Sequence, residues 1–251
     1  MNKKGRLLNV ILPIITIFGI LLIWSVLAKA IDSEYILPSV ADTFSAFINL
    51  LKDQKFYLAF SLTLLRTLIA FSISFIVSSL CAFFAYKSKN FESIILTIMS
   101  ILRALPTVAV VLLLLFWTNS QIAPVVVTML VVMPTTYTHI KSAFDSIDKT
   151  VVEAGMVDGA SKFQSFVKVE FPQIASQTYS AIGSGISLNF KLMVAAEVLS
   201  ATIKSLGSLL NSAKFSFEIS VMLALVITAL AFGVIVEGVF NKISKHAGRW
   251  R

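Results

Sequence analysis

Long apolar runs decide what this chain can become. Leu7–Ala28, Ile94–Leu115, Ile122–Tyr137, Ile174–Leu199 and Ile219–Phe240 each approach or exceed the roughly 20 residues that a helix needs to cross about 30 Å of hydrocarbon. A sixth run, Leu58–Tyr86, is long enough to cross at a tilt. In lipid every backbone N–H and C=O must find its partner inside the protein, which leaves helices and closed barrels. These runs are too long for barrel strands and lack their strict alternation. The expected fold is therefore all-α, a polytopic membrane protein with about six transmembrane helices. Composition agrees, with 57% apolar residues, 14% charged and a mean hydropathy of +0.88, beyond what a polar-surfaced soluble domain carries.

Charge sets the orientation. The net charge of +8 would suggest a nucleic acid partner in a soluble protein, but here its distribution is what matters. Counting from an inside N-terminus, the inner loops and ends receive Lys3, Lys4, Arg6, Lys87, Lys89, Lys141, Lys149, Lys162, Lys168, Lys242, Lys245, Arg249 and Arg251. The outer segments receive Lys52, Lys55, Lys204 and Lys214, with Lys29 at the border. That asymmetry places both termini in the cytoplasm. The partner surface is then membrane lipid, and no nucleic acid is expected. MNKKGR followed by an apolar run and Ala28-Lys29-Ala30 imitates a secretory signal, yet the run exceeds the ~7–15 residues of a signal core, so a retained first span is expected. The organisation expected is one transmembrane domain over 1–251, with a first span at 7–30 and a five-helix core at 58–241 carrying a cytoplasmic loop at 142–173.

The chain contains no phosphate-binding loop, no H-E-x-x-H and no G-x-S-x-G. Its two histidines, His139 and His246, fall near cytoplasmic helix ends and read as interfacial residues, and its single Cys81 as a small buried apolar one. No catalytic or metal-binding cluster is expected, and the chain is expected to bind no energy source itself.

One stretch departs from the apolar pattern: EAGMVDGASKFQSFVKVEFP, Glu153 to Pro172. Asp148 can cap a short helix beginning at Lys149, with Glu153 still near its positive end, and Gly159 suits the left-handed position that closes it. Ser161 opens a second helix with Gln164 as the reciprocal member of a capping box, and Pro172 is expected to stop it. Phe163, Phe166 and Val167 share one face and should anchor it. The loop thus reads as a rigid cytoplasmic knob, either a docking element or a membrane-surface loop without a partner.

The same residues resemble a family pattern. Permease subunits of bacterial ABC importers carry a Glu-Ala-Ala, three residues, Gly, nine residues, then Ile-x-Leu-Pro. Here Glu153, Ala154, Gly155, Gly159, Val169, Phe171 and Pro172 keep that spacing, with Gly155 in place of the second Ala. The resemblance extends over essentially the whole chain and is to the nitrate, taurine and aliphatic-sulfonate branch. It is carried by Trp24, ILPSVADTF (Ile36 to Phe44), SLTLLRTLIAF (Ser61 to Phe71), ILRALPTVAVVLLLLFW (Ile101 to Trp117), the Pro134 region, KLMVAAE (Lys191 to Glu197), SLGSLL (Ser205 to Leu210) and GRWR (Gly248 to Arg251). Ser205 departs from it, standing where the branch usually has the first Gly of Gly-Leu-Gly.

The resemblance implies the type I ABC importer permease fold in a bacterial inner membrane. It also implies a permease homodimer, ATPase subunits that receive the coupling loop at Glu153, Ala154, Gly155, Gly159 and Pro172, and a periplasmic or lipid-anchored solute-binding protein. No cofactor is implied on this chain, since ATP and Mg belong to the ATPase. The solute implied is a small anion such as a sulfonate, taurine or nitrate. The alternative within the same architecture is a thiamine-related pyrimidine or other small heterocycle.

Charges inside the spans need a reason, because each costs about 2.5–3.5 kcal/mol at a helix centre. Arg66 and Glu197 are expected to snorkel from helix ends. Lys191 and Glu197 are six apart, too far out of phase to pair along one helix. Arg103 stands beside a kink expected at Pro106. Arg103, Lys191 and Glu197 either line the translocation path or hold its helices together. Gly183 and Gly185, with Ala181, Ser184 and Ser187, allow close helix packing, either at a two-fold axis or within one chain. The rival of another class is an ion-coupled secondary transporter, which would need acidic relays or inverted repeats with broken helices; Glu197 is the one buried acid candidate. A membrane enzyme ranks third.

Overall fold

The computed structural model describes residues 3–157 and 159–248, so Arg249, Trp250 and Arg251 of the closing motif lie outside the described residues. The described residues fall into two compact units, one within Met1–Tyr57 and Leu209–Thr228, the other within Leu58–Ser208 and Ala229–Arg251. Every regular element among them is helical. Five helices are long and apolar enough to cross a membrane, and six crossings result if one sharply bent pair counts as a span.

In the first unit, α1 (Lys3–Ile31) is followed by α2 (Val40–Leu50). The turn between them is fixed at both ends. Trp24 donates its indole N–H to the Pro38 carbonyl at 3.0 Å, and Ser39 caps α2 by accepting from the Asp42 N–H at 3.1 Å.

The second unit is built on α3 (Gln54–Lys87) from Leu58 onward, α4 (Lys89–Ala104), α5 (Thr107–Trp117), α6 (Ala123–Asp145) and α9 (Phe171–Leu199), with the latter part of α11 (Ile219–Ala247). The first correction falls on Ile94–Leu115, expected as one kinked span. It is two helices, α4 and α5, meeting at 91°. Leu105 is extended (φ −66°, ψ 125°), as the ring of Pro106 requires of the residue before it, so the helix stops and restarts. Pro134, by contrast, stays inside α6. Ser74 and Ser78 of α3 donate to the Met129 and Met133 carbonyls at 2.8 and 2.9 Å, tying α3 to the α6 backbone around the proline.

The second correction concerns Pro172, expected to end a loop helix. Instead α8 (Lys162–Ser165) runs through a π-helical turn, Phe166–Glu170, directly into α9, with Pro172 in its first turn. The Phe171 N–H bonds back to the Phe166 carbonyl, and this wider turn accommodates the missing proline donor. The π turn also splits the expected anchor stripe. Phe166 packs edge-on to Phe83 at 5.9 Å, whereas Phe163 is 76% exposed and Val167 is also exposed.

The core of this unit joins Ala82 and Ala85 of α3, Met99 of α4, Tyr137 and Phe144 of α6, and Ile174 of α9, with Cys81 at its edge. The α9–α11 contact closes where side chains are smallest. Ser176 lies 3.0 Å from Ser244, and Ser180 donates to Asn241 at 3.3 Å. A Cβ on Gly183 would fall 2.4 Å from Phe240, and one on Gly185 equally close to Phe71 of α3. Both glycines thus admit close approaches within the chain, Gly183 to Phe240 and Gly185 to Phe71.

Candidate functional site

Of the loop expected at 142–173, residues 142–145 are the end of α6, and the first helix beyond them is α7 (Lys149–Val157). Asp148 opens it by accepting from the Thr150 N–H at 2.9 Å and from the Thr150 hydroxyl at 2.6 Å. The hydroxyl and backbone donors of Thr150 hold the Asp148 carboxyl below its ordinary range. Gly159 is left-handed at φ +88°, and the Ala160 N–H reaches back to the Gly155 carbonyl at 3.1 Å, a Schellman closure. Ser161 and Gln164 form the reciprocal capping box. Gln173 of α9 accepts from the Asp148 N–H at 2.8 Å, so the start of α7 is pinned to α9. Glu153 and Ala154 are exposed, and Gly155 faces Val169. Val157 is 87% exposed, and with Phe163 it leaves an apolar surface on the loop.

A second cluster sits where α9 ends. Glu197, 0% exposed, accepts from Thr63 at 2.9 Å, from Arg66 at 3.0 Å and from the Gly207 N–H at 3.3 Å. Thr63 also accepts the Leu206 N–H at 3.0 Å, and Arg66 donates onward to Gln121 in the α5–α6 turn. Arg66 and Glu197 therefore do not snorkel to the interface. They pair with each other, 131 residues apart in sequence, and tie α3, α9 and the start of α10 (Leu206–Phe215) together. Gly207 is required here, since a Cβ would meet the Glu197 backbone at 2.6 Å. Ser205, the departure from the family pattern, caps α10 by accepting from the Ser208 N–H at 2.9 Å.

Arg103, Lys191 and Glu197 are thus not brought together. Arg103, exposed at the α4–α5 break, donates to Thr138 of α6 at 3.1 Å. Lys191 lies on a third feature, an open strip of α9. Gln177, Ser180, Ser184, Leu188, Lys191 and Ala195 recur at helical spacing, half-buried in the first four cases and exposed in the last two. At 1.5 Å per residue the strip extends roughly 27 Å along a helix of about 43 Å, so most of it lies at hydrocarbon depth. His139 and Ser142 of α6 join Gln177, Ser180 and Ser184 around a shallow cavity of about 240 Å³. Sequence reasoning missed Thr63, Gln121 and Gly207, whose roles arise from contacts remote in sequence. It also missed Glu237, whose signal was available as a lone acid inside the run Ile219–Phe240.

Such a fold defines a multi-pass helical membrane protein. Residues 74–248 match the family model of the binding-protein-dependent transport system inner membrane component, and the chain belongs to that family, the permease subunits of ABC importers. It is accordingly a non-catalytic transport subunit of the inner membrane, carries no cofactor of its own, and works with an ATPase and a periplasmic binding protein. The fold is shared with solved structures at low identity. An inward-facing conformation of the MetNI methionine ABC transporter has a TM-score of 0.63 and 15% identity over 75% of this chain and 94% of that one. An amino acid ABC transporter with histidines has 0.58 and 16% over 83% and 95%. A bacterial alginate ABC transporter, in complex with an alginate-bound periplasmic protein, has 0.58 and 17% over 98% and 95%. No curated protein sequence matches the chain.

Proposed function

We propose that this permease imports a small anion, such as a sulfonate, taurine or nitrate, and that two identical chains form the path with the α9 strip facing it. The carrying observation is Lys191, an ammonium roughly 12 Å from the end of α9 with no carboxylate among the described residues within salt-bridge distance. Glu197, the other charge on α9 near it, is out of phase with it and is paired with Arg66. Serine hydroxyls, a glutamine amide and a lysine cannot face lipid at this depth without penalty, so the strip suits a wet path or a second copy. The solved structures with this fold serve solutes as different as methionine and alginate, so the solute is read from this chain's own charges.

The loop receives the ATPase in this reading. Glu153 and Ala154 present the exposed face, Gly155 and Gly159 set its shape, and Pro172 lies at the start of the helix that carries motion to the strip. Inward movement of the two loops on ATP binding opens the path outward, and hydrolysis reverses it.

The test is uptake by proteoliposomes holding the complete transporter. ATP-dependent entry of taurine, nitrate or an alkanesulfonate is expected, with cross-linking yielding permease dimers. Lys191→Met should reduce that entry roughly tenfold, the loss of about 1.4 kcal/mol of attraction, while the ATPase still co-purifies. Normal uptake by this variant would remove Lys191 from the path, and uptake of neutral heterocycles alone would overturn the anion reading.

A further inference from the structure

The surroundings of Lys191 contain a second charge. Gly233 of α11 faces it directly: a Cβ there would fall 2.7 Å from the Ser187 hydroxyl, 3.1 Å from Lys191 Cε and 3.6 Å from its Nζ. The absent side chain is the slot along which the lysine stem lies, and it fixes the height of the ammonium. The Ser187 hydroxyl, fully buried, has no hydrogen-bond partner. Farther along the same contact, Asn241 of α11 accepts from Ser180 of α9 at 3.3 Å. Glu237 stands midway between Gly233 and Asn241, four residues from each, and therefore lies on the α11 face turned to α9. It is half-buried, and it pairs with no cation among the described residues. Helical side chains lean toward the helix N-terminus, which for Glu237 is the direction of Gly233 and Lys191.

From this we infer that Lys191 and Glu237 are the two poles of a solute station inside the membrane, suited to a small zwitterion with an oxyanion at one end and an ammonium at the other. An acid and a base each cost free energy at this depth, and neither is neutralised by the other in this structure. Gly233, against which the Lys191 stem lies, and Glu237 are one helical turn apart, about 6 Å along the α11 backbone, so the site between them suits a small molecule rather than a long one. The inference rests on the α9 strip being the solute path, and it narrows the anion reading to solutes that also carry a positive group.

Two small thiol reagents test it without knowledge of the solute: an anionic sulfonatoethyl and a cationic trimethylammonioethyl methanethiosulfonate. In the assembled transporter with Cys81→Ala, single cysteines are placed at Leu188, one turn from Lys191, and at Ser184, on the strip nearer Glu237. At Leu188→Cys the anionic reagent should react faster relative to the cationic one by about tenfold, and Lys191→Met should erase that preference. At Ser184→Cys, Glu237→Gln should raise the anionic-to-cationic rate ratio by about tenfold. Glu237→Ala serves if the glutamine variant does not assemble. Reaction at both sites with a ratio unmoved by the Glu237 substitution, or by Lys191→Met, overturns the two-pole station while leaving the strip as a wet path. Failure of both reagents at both sites overturns the path reading itself.

Discussion

Glu197→Ala is expected to lower the midpoint of thermal unfolding in detergent by on the order of 10 °C. The carboxylate is 0% exposed and collects the Thr63 hydroxyl, the Arg66 guanidinium and the Gly207 N–H. Truncation leaves all three donors facing a small void without an acceptor. The guanidinium is the costly one, because its side chain is only 13% exposed and water cannot replace the lost anion. Breaking one side of a buried pair costs about 3–5 kcal/mol, and a chain of this size loses about 2–4 °C per kcal/mol. Glu197→Gln keeps the shape and one acceptor oxygen, so it should lose less. Arg66→Ala should resemble Glu197→Ala, and Arg66→Met with Glu197→Met should lose less than the two single losses added, since both charges leave together. A Glu197→Ala protein melting within 2 °C of the wild type, a margin of about 1 kcal/mol, would show that the cluster does not hold these helices.

The cluster also illustrates what local sequence can and cannot reveal. Helical phase was enough to exclude a Lys191–Glu197 pair, because that argument involves a single helix. Choosing Arg66 instead required knowing which helix lies beside α9, 131 residues away in sequence. Glu237 differs, since its strangeness is local: one carboxylate in an otherwise apolar run. The prolines make the same point. Pro106 separates two helices, Pro134 is retained within one, and Pro172 sits in the first turn of another. The residue lacks the same donor each time, and the outcome depends on its setting, an extended Leu105 before Pro106 and a π turn before Pro172. The apolar spans were legible because lipid permits few alternatives, and the Ser161–Gln164 box because both partners lie within four residues.

Gly159→Val should reduce ATPase binding while lowering the melting of the permease by no more than several degrees. The position is left-handed at φ +88°, and a Cβ there meets nothing within 4 Å, so the substitution brings no collision and empties no cavity. Its cost is confined to the backbone, about 1–2 kcal/mol for a residue with a side chain and more for a branched one. The loop relieves that strain by abandoning the turn held by Gly155 and Ala160, which alters the angle between α7 and α8. A docking surface made of both helices then loses its shape. At about 1.4 kcal/mol per factor of ten, co-purification with the ATPase should weaken roughly tenfold, and uptake should fall with it. Gly159→Asn, which tolerates the left-handed region, should retain most of the binding. Glu153→Lys separates shape from charge: α7 keeps its caps and Gly159 its turn, yet the exposed face that we propose meets the ATPase changes sign, so uptake should be lost with the loop intact. Equal ATPase binding by Gly159→Val and the wild type, together with normal uptake by Glu153→Lys, would place the point of energy transfer elsewhere on the chain.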